Sequence, residues 1–127
     1  MLKEGSKGQE VEQLQKKLTN LGYSLGAADG DFGPKTKGAV VALQKDNDLD
    51  PDGICGPLTW AKLDNAKYLN GEVTANSLNV RTGPGTNYKV KAIIKKSDKV
   101  IIVSETSGWG RLINGAGWVR MSYIKKP

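Results

Sequence analysis

Apolar residues in the first third of the chain recur with the spacing of an amphipathic helix. Polar side chains fill the positions between them, so one face of the helix is expected to be buried. The apolar positions of that face are Val11, Leu14, Leu18 and Leu21. Ser6, followed three residues later by Gln9, predicts a capping box at the start of this helix, and Gly22 predicts its end.

Two further helices are predicted downstream, each beginning at a Gly-Pro step. Proline suits the first turn of a helix, because the amide hydrogen that it lacks would have no partner there. We therefore expect one helix from Pro34 to about Lys45 and another from Pro57. The residues expected to be buried in these helices are Ala39, Val40, Leu43, Leu58 and Leu63.

A short internal repeat overlaps the start of both of these helices. Residues 29–36 read DGDFGPKT and residues 52–59 read DGICGPLT, so the pattern DGxxGPxT recurs at an offset of 23 residues. Each copy predicts a tight Asp-Gly turn, one apolar side chain and a helix start. The two aspartates either cap their turns only or also contribute to a ligand site, and the turn chemistry alone leaves both roles open.

Residues 2–65 resemble the bacterial peptidoglycan-binding domain of the three-helix type. The resemblance rests on the first helix pattern, both DGxxGPxT copies and the segment TWAKL, which begins at the last residue of the second copy. It implies a small helical bundle that holds cell-wall glycopeptide in a shallow groove near the two Asp-Gly loops. Leu43 departs from the Phe that the family usually has before Gln44, which we expect to alter packing. The ligand-binding residues that the resemblance implies are Asp29, Gly30, Phe32, Thr36, Asp52, Thr59 and Trp60.

The second half of the chain alternates apolar and polar residues, which predicts half-buried strands. Val73 with Ala75, and Leu78 with Val80, show this period of two. Further strand-forming runs, separated by turns rich in Gly, Asn and Ser, cover residues 89–94, 99–103, 111–113 and 117–120. Five or six short strands in so small a segment predict an all-β barrel.

Residues 72–124 resemble the bacterial Src-homology-3 (SH3) domain found in wall hydrolases. The resemblance rests on the segments SLNVRTGPGTNYKV and SGWGRLINGAGWVRMSYI. It implies a barrel that grips stem or cross-bridge peptides of peptidoglycan in a groove beside a long loop. The residues that fit this role are Asn79, Arg81, Asn87, Tyr88, Trp109 and Tyr123.

Three of these residues have a second interpretation. Tyr88 and Trp109 suit either a stacking platform for a ligand or a cover over the core, because both uses bury a large aromatic area. Arg81 suits either a peptide carboxylate or a solvated surface position.

The distribution of charge divides the chain near its middle. Residues 1–66 hold 8 lysines and 10 acidic residues, a net charge of −2, whereas residues 67–127 hold 11 basic and 3 acidic residues, a net charge of +8. This change of sign predicts two domains, residues 1–66 and 67–127. The two resemblances imply that the first is a three-helix bundle and the second an SH3-like barrel. Residues 64–71, which end in a turn-like Asn-Gly, are the expected joint.

Composition removes several classes of chemistry. The chain has no histidine and one cysteine, Cys55, so it offers no intrachain disulfide, no His/Cys zinc site and no Ser–His or Cys–His pair. Cys55 is expected to fill an apolar slot. Residues 48–59 begin like a calcium loop but end in Thr59 instead of a bidentate glutamate, so we expect neither a metal nor a cofactor.

The two resemblances, together with the lack of a catalytic set, imply a noncatalytic cell-wall-binding and targeting module of a peptidoglycan hydrolase, such as an endolysin or autolysin. The expected partners are peptidoglycan glycan, its stem or cross-bridge peptides and anionic wall polymers, but neither nucleic acid nor membrane. The expected location is the bacterial cell wall or outside the cell, although the chain shows neither a signal-like core at its start nor an apolar run of the ~20 residues that span a bilayer.

Three alternatives stay open from the sequence. The basic half has the character of a domain that binds single-stranded nucleic acid or a proline-rich peptide. A wall glycosidase could also work with two carboxylates alone, although the glutamates do not form an evident pair. They are scattered along the chain at Glu4, Glu10, Glu12, Glu72 and Glu105.

Overall fold

Three α-helices open the chain in the computed structural model, which describes residues 1–126. They belong to one compact unit, Met1–Ala66, and the described residues from Lys67 onward form a second unit. The helices are α1 (Gln9–Leu21), α2 (Pro34–Asp46) and α3 (Pro57–Asn65). Within the described part of the chain, no helix has the length and apolar character that a bilayer crossing requires.

Helix α1 buries the predicted face but begins differently from the prediction. Val11, Leu14 and Leu18 are fully buried as predicted, whereas Leu21 is only half-buried. Gly22 follows the last helical residue in the left-handed conformation, as predicted. The predicted capping box is wrong, because the residue before the helix is Gly8 and no side chain caps it. The Gly8 amide instead donates to the carbonyl oxygen of Gly30 at 2.9 Å. The start of α1 is therefore held by the first DGxxGPxT copy, residues 29–36.

Helices α2 and α3 both begin at the predicted prolines. Ala39, Val40 and Leu43 of α2 are buried as predicted. In α3 the prediction is confirmed for Leu63 but wrong for Leu58, which is 73% exposed. The inward positions of this short helix are Thr59 and Leu63, four residues apart, and Leu58 therefore lies on a different face.

The second unit is a single antiparallel sheet, with seven strands among the described residues. The strands in chain order are β1 (Leu69–Val73), β2 (Ser77–Arg81), β3 (Val90–Lys95), β4 (Lys99–Thr106), β5 (Trp109–Leu112), β6 (Gly117–Arg120) and β7 (Ile124–Lys125). Their spatial order is β3-β2-β6-β5-β4-β1-β7. The alternating pattern thus predicted the strand class and most strand positions.

The predicted Asn-Gly turn at the joint between the halves is wrong. Asn70 and Gly71 lie inside β1, where they pair with Ile101 and Val100 of β4. Gly71 is buried, and a side chain there would run into Ile124 of β7. Glycine is therefore required at this position by the close approach of a neighbouring strand and not by a turn.

One apolar cluster holds the sheet together, with contributions from six of its strands. Its members are Val73, Leu78, Val80, Ile102, Leu112, Val119 and Ile124. The sheet around this cluster is open, with β3 and β7 at its edges, so the predicted closed barrel is not confirmed. Of the two edge strands, β7 has only two residues, and β3 exposes nearly all of its side chains.

The contrast between Leu58 and Leu63 gives a direct test of the α3 packing. Leu63→Ala removes a side chain that is 6% exposed and is expected to lower the free energy of unfolding by about 2–4 kcal/mol. Leu58→Ala is the matched control, expected to change it by less than about 0.5 kcal/mol. Urea denaturation of both variants measures the difference, and equal losses would contradict the packing described.

Candidate binding sites

The first DGxxGPxT loop is organised by one buried side chain of α1. Gln15 is 1% exposed, and its Nε2 donates to Asp29 Oδ1 at 3.1 Å and to Thr36 Oγ1 at 3.0 Å. The same nitrogen reaches the carbonyl oxygen of Asp31 at 3.1 Å, while Oε1 accepts the amide of Gly30 at 2.9 Å. One carboxamide therefore joins α1, the loop and the first turn of α2.

The second loop repeats this arrangement with Gln44 of α2. Its Nε2 donates to Asp52 Oδ1 at 3.0 Å, to Thr59 Oγ1 at 3.1 Å and to the carbonyl oxygen of Ile54 at 3.0 Å. Its Oε1 accepts the amide of Gly53 at 3.0 Å. The sequence repeat is thus a structural duplication in which α2 ends the first copy and begins the second.

The geometry that the two loops share shows what Asp29 and Asp52 do. Asp29 Oδ1 also accepts the amide of Asp31 at 2.9 Å, and Asp52 Oδ1 accepts the amide of Ile54 at the same distance. The bond from the Asp31 amide, and then that from Gln15, holds the pKa of Asp29 below its ordinary value. Each aspartate therefore closes its own turn, which was one of the two roles left open by the sequence.

A shallow cleft adjoins each loop at equivalent positions. The first has a volume of about 440 Å³, and its polar lining includes Asp29, Asp31 and Lys35. The second has a volume of about 210 Å³, and Ile54 and Leu58 stand where the first has Asp31 and Lys35. The duplicated frame therefore carries two clefts whose linings differ at these two positions.

The other residues predicted for the helical unit are divided between these clefts and the interior. Thr36 and Thr59 line their clefts although both are almost completely buried. Phe32 is 1% exposed and lies in the core instead of lining a cleft. Trp60 is half-buried and lines neither cleft, and Lys17 of α1 lies 6.0 Å from the centre of its ring.

A further cleft of about 400 Å³ lies on the β unit and brings four of the six predicted residues together. These are Asn79, Arg81, Trp109 and Tyr123. Asn87 and Tyr88 do not line it. Tyr88 instead covers Gly83, where its ring leaves no space for a side chain, although the tyrosine remains 43% exposed. Arg81 connects this loop to the cleft, because its Nη1 donates to the carbonyl oxygens of Thr86 and Tyr88 at 3.1 and 3.0 Å.

Sequence reasoning missed Gln15, Gln44 and Arg120. Each glutamine follows an inward leucine in its helix, so a Leu-Gln pair ahead of each loop copy was the available signal. Arg120 lines the β cleft and lies directly across from Trp109 in the β5–β6 register, with 5.7 Å between the guanidinium carbon and the indole centre. Trp109 itself is only 8% exposed, so the indole is largely covered.

Two groups with catalytic potential, Cys55 and Glu72, have shifted pKa values that do not suit that role. Cys55 is fully buried, and this burial raises the pKa of its thiol to about 12, so the thiol stays protonated at neutral pH. The hydrogen bond from Lys99 lowers the pKa of Glu72, whereas a general acid needs a raised one. Residues 1–126 contain no cluster of three acidic, His or Cys side chains suited to a metal.

A helical unit with duplicated loop clefts, followed by a sheet with an arginine-lined aromatic cleft, defines a two-part binding protein. Residues 7–63 match the peptidoglycan binding domain family, and residues 76–125 match the bacterial SH3 domain family. The chain therefore contains one segment of each family, in the order that the sequence predicted.

The chain is also similar to parts of longer known proteins. The N-acetylmuramoyl-L-alanine amidase CwlL of Bacillus licheniformis is 36% identical over 113 residues, which cover 83% of this chain and 30% of the amidase. An uncharacterised protein of the bpoA1 3′ region of Kitasatospora aureofaciens is 52% identical over 65 residues, 50% of this chain and 55% of that protein. The chain thus spans from about a third to about half of the length of these relatives.

A solved structure bears on the fold alone. The L,D-transpeptidase of Xylanimonas cellulosilytica, crystallised as residues 123–326, aligns with a TM-score of 0.50 at 22% identity, covering 84% of this chain and 79% of that one. None of these findings supports the nucleic-acid, proline-rich-peptide or glycosidase alternatives.

The loop carboxamides can be tested by removing their hydrogen bonds while keeping their volume. Gln44→Met leaves the buried amide of Gly53 and the hydroxyl of Thr59 without this partner. We therefore expect it to lower the free energy of unfolding by about 1–3 kcal/mol. Gln13→Met, on the exposed side of α1, is the matched control and should leave stability nearly unchanged. Chemical denaturation measures both, and an unaffected Gln44→Met would contradict the organising role.

The lowered pKa of Asp29 predicts how the stability of the helical unit depends on pH. Its ionised form is favoured by folding, so this stabilisation is present above the ordinary aspartate pKa of about 3.9 and is lost as the pH falls through the lower, folded-state pKa. The difference in unfolding free energy between the native chain and Asp29→Asn should therefore shrink on acidification. A difference that stays constant from neutral to strongly acidic pH would contradict this assignment.

Proposed function

We propose that this chain is the noncatalytic wall-binding and targeting module of a peptidoglycan hydrolase, such as an endolysin or autolysin. The observation that carries the proposal is the match to an N-acetylmuramoyl-L-alanine amidase along 83% of this chain, which takes in both binding families. The part of that amidase outside the match is where its catalytic domain would lie. The module would act in the bacterial cell wall or outside the cell.

In this proposal residues 1–66 and residues 67–127 are separate binding domains. The first is a three-helix bundle that holds glycan and peptide of the wall at its loop clefts, with Asp29, Gly30 and Asp52 shaping those clefts. The second is an SH3-like barrel domain that binds stem or cross-bridge peptides. Its net charge of +8 also favours anionic wall polymers.

Two weak sites on one chain suit a solid polymer such as peptidoglycan. Once one domain is bound, the other meets its ligand at a high effective concentration, so the combined affinity exceeds that of either domain. The clefts of both units are open and shallow, which suits weak binding of an extended polymer and not the enclosure of a small molecule. Retention on the wall then follows from the combination of the two.

Sedimentation with purified sacculi tests this function. The native chain should pellet with sacculi stripped of anionic polymers, and unstripped sacculi should add retention that salt removes. Ala27→Trp fills the first loop cleft without deleting any polar contact and should lower retention by about tenfold. Ala61→Trp, at an exposed position of α3 outside both clefts, is the control. A native chain that stays in the supernatant with both preparations would refute the proposal.

A further inference from the structure

All three arginines of the 127-residue chain lie on one face of the sheet. Arg81 and Arg111 flank Trp118 in the registers of β2 with β6 and of β5 with β6, and Arg120 pairs with Trp109. Directly paired residues of an antiparallel sheet share a face, as do residues two apart along a strand. These five residues therefore form one surface, the arginine–tryptophan face.

The opposite side of the same strands carries the apolar cluster. Val80, Val119 and Leu112 alternate with the residues of the arginine–tryptophan face and are buried. The arginines therefore cannot turn into the core, and their charges point to the side away from it. Along these strands inward apolar residues alternate with outward Arg or Trp. The register of the strands therefore determines which residues lie on the arginine–tryptophan face.

Stacking on indole rings holds two of the guanidinium groups in place. The guanidinium carbon of Arg111 lies 5.9 Å from the centre of Trp118, and that of Arg120 lies 5.7 Å from the centre of Trp109. A guanidinium stacked on an aromatic ring keeps its N–H edges available and loses little freedom when it forms a bidentate pair. Trp109, at 8% exposure, supports Arg120 and does not offer an open ring of its own.

The cleft that Arg81 and Arg120 line has no acidic side chain in its lining. The second unit contains three acidic residues, and each lies away from the arginine–tryptophan face. Glu72 forms an ion pair with Lys99, and Asp98 accepts the amide of Lys95. Glu105 pairs with Gly110 of β5, so it lies on the opposite face of the sheet. Among the described residues, Arg81 donates to backbone carbonyls and forms no ion pair with a carboxylate. A ligand that complements this face must bring negative charge.

Resting on the proposed function, we propose that the cleft at the arginine–tryptophan face recognises the free carboxylates of peptidoglycan stem peptides, with Arg120 and Arg81 as the carboxylate-binding residues. The planar guanidinium fork matches a carboxylate with two parallel hydrogen bonds. The neutral side chains of Ser77, Asn79 and Thr86 line the same cleft and supply partners for peptide amides. A phosphodiester polymer would use the charges but has no need of these neutral groups.

A pair of synthetic stem peptides tests this assignment with the full chain. One four-residue peptide carries its free carboxylates, and the other has them converted to carboxamides. By isothermal titration we expect the native chain to bind the carboxylate form at least about tenfold more tightly, the ratio that one charge-assisted pair supplies. Equal binding of the two forms would overturn the proposal.

Variants at Arg120 locate the selectivity. Arg120→Gln should remove most of the tenfold preference while changing the affinity for the carboxamide form by less than about twofold. Arg120→Lys keeps the charge but loses the fork, so an intermediate preference is expected and its folding is checked by its melting temperature. Lys96→Gln, the same loss of charge at an exposed turn away from the cleft, is the control. An equal loss of affinity in Lys96→Gln would overturn the assignment in favour of general charge attraction.

The outcome is separable from that of the wall-binding proposal. A native chain that pellets with stripped sacculi but binds both peptide forms equally refutes the carboxylate site and leaves wall binding intact. If a soluble polyglycerol phosphate, and neither peptide, shows affinity that depends on Arg120, the face recognises phosphodiesters and the proposal is wrong. Failure to pellet with any sacculi refutes the proposed function itself.

Discussion

A buried carboxamide that bonds to a whole loop is the interaction on which the helical unit depends. Gln15 and Gln44 each satisfy a backbone amide, a backbone carbonyl, a carboxylate and a hydroxyl. A loop of this kind has few apolar side chains of its own, and its polar backbone groups would be costly to bury without partners. The glutamine supplies those partners from within a helix, so the shape of each cleft is coupled to the packing of the helices.

This coupling lets the two clefts differ without changing the frame. The residues bonded by the glutamine are the same in both copies, whereas the cleft-lining positions next to them differ: Asp31 and Lys35 in one, Ile54 and Leu58 in the other. Leu58 can remain 73% exposed because the inward positions of α3 are held by Thr59 and Leu63. An exposed leucine at the start of a helix is thus explained by its place beside a cleft and not by the core.

The sequence was most informative where structure depends on neighbouring residues. The proline helix starts, the glycine that ends α1 and the alternation of β2 are local effects, and each was predicted correctly. The capping box failed because Gly8 is held by Gly30, and the Asn-Gly turn failed because β4 and β7 enclose Gly71. The loop glutamines could not be identified either, since their partners lie up to 21 residues away and a polar residue beside a buried face resembles a simple break in the pattern.

The β unit uses its tryptophans in a way that changes what its cleft can recognise. An exposed indole would select sugars or apolar groups by stacking, but Trp109 is largely covered and Arg120 lies over it. The indole of Trp109 therefore supports the guanidinium of Arg120, and we propose that this guanidinium, not the ring, selects the ligand. Only Ala66, Lys67 and Tyr68 separate α3 from β1, so the β cleft and the loop clefts are joined by a short segment of chain. In the proposed function, two weak binding events on one polymer strand then reinforce each other through a high effective concentration.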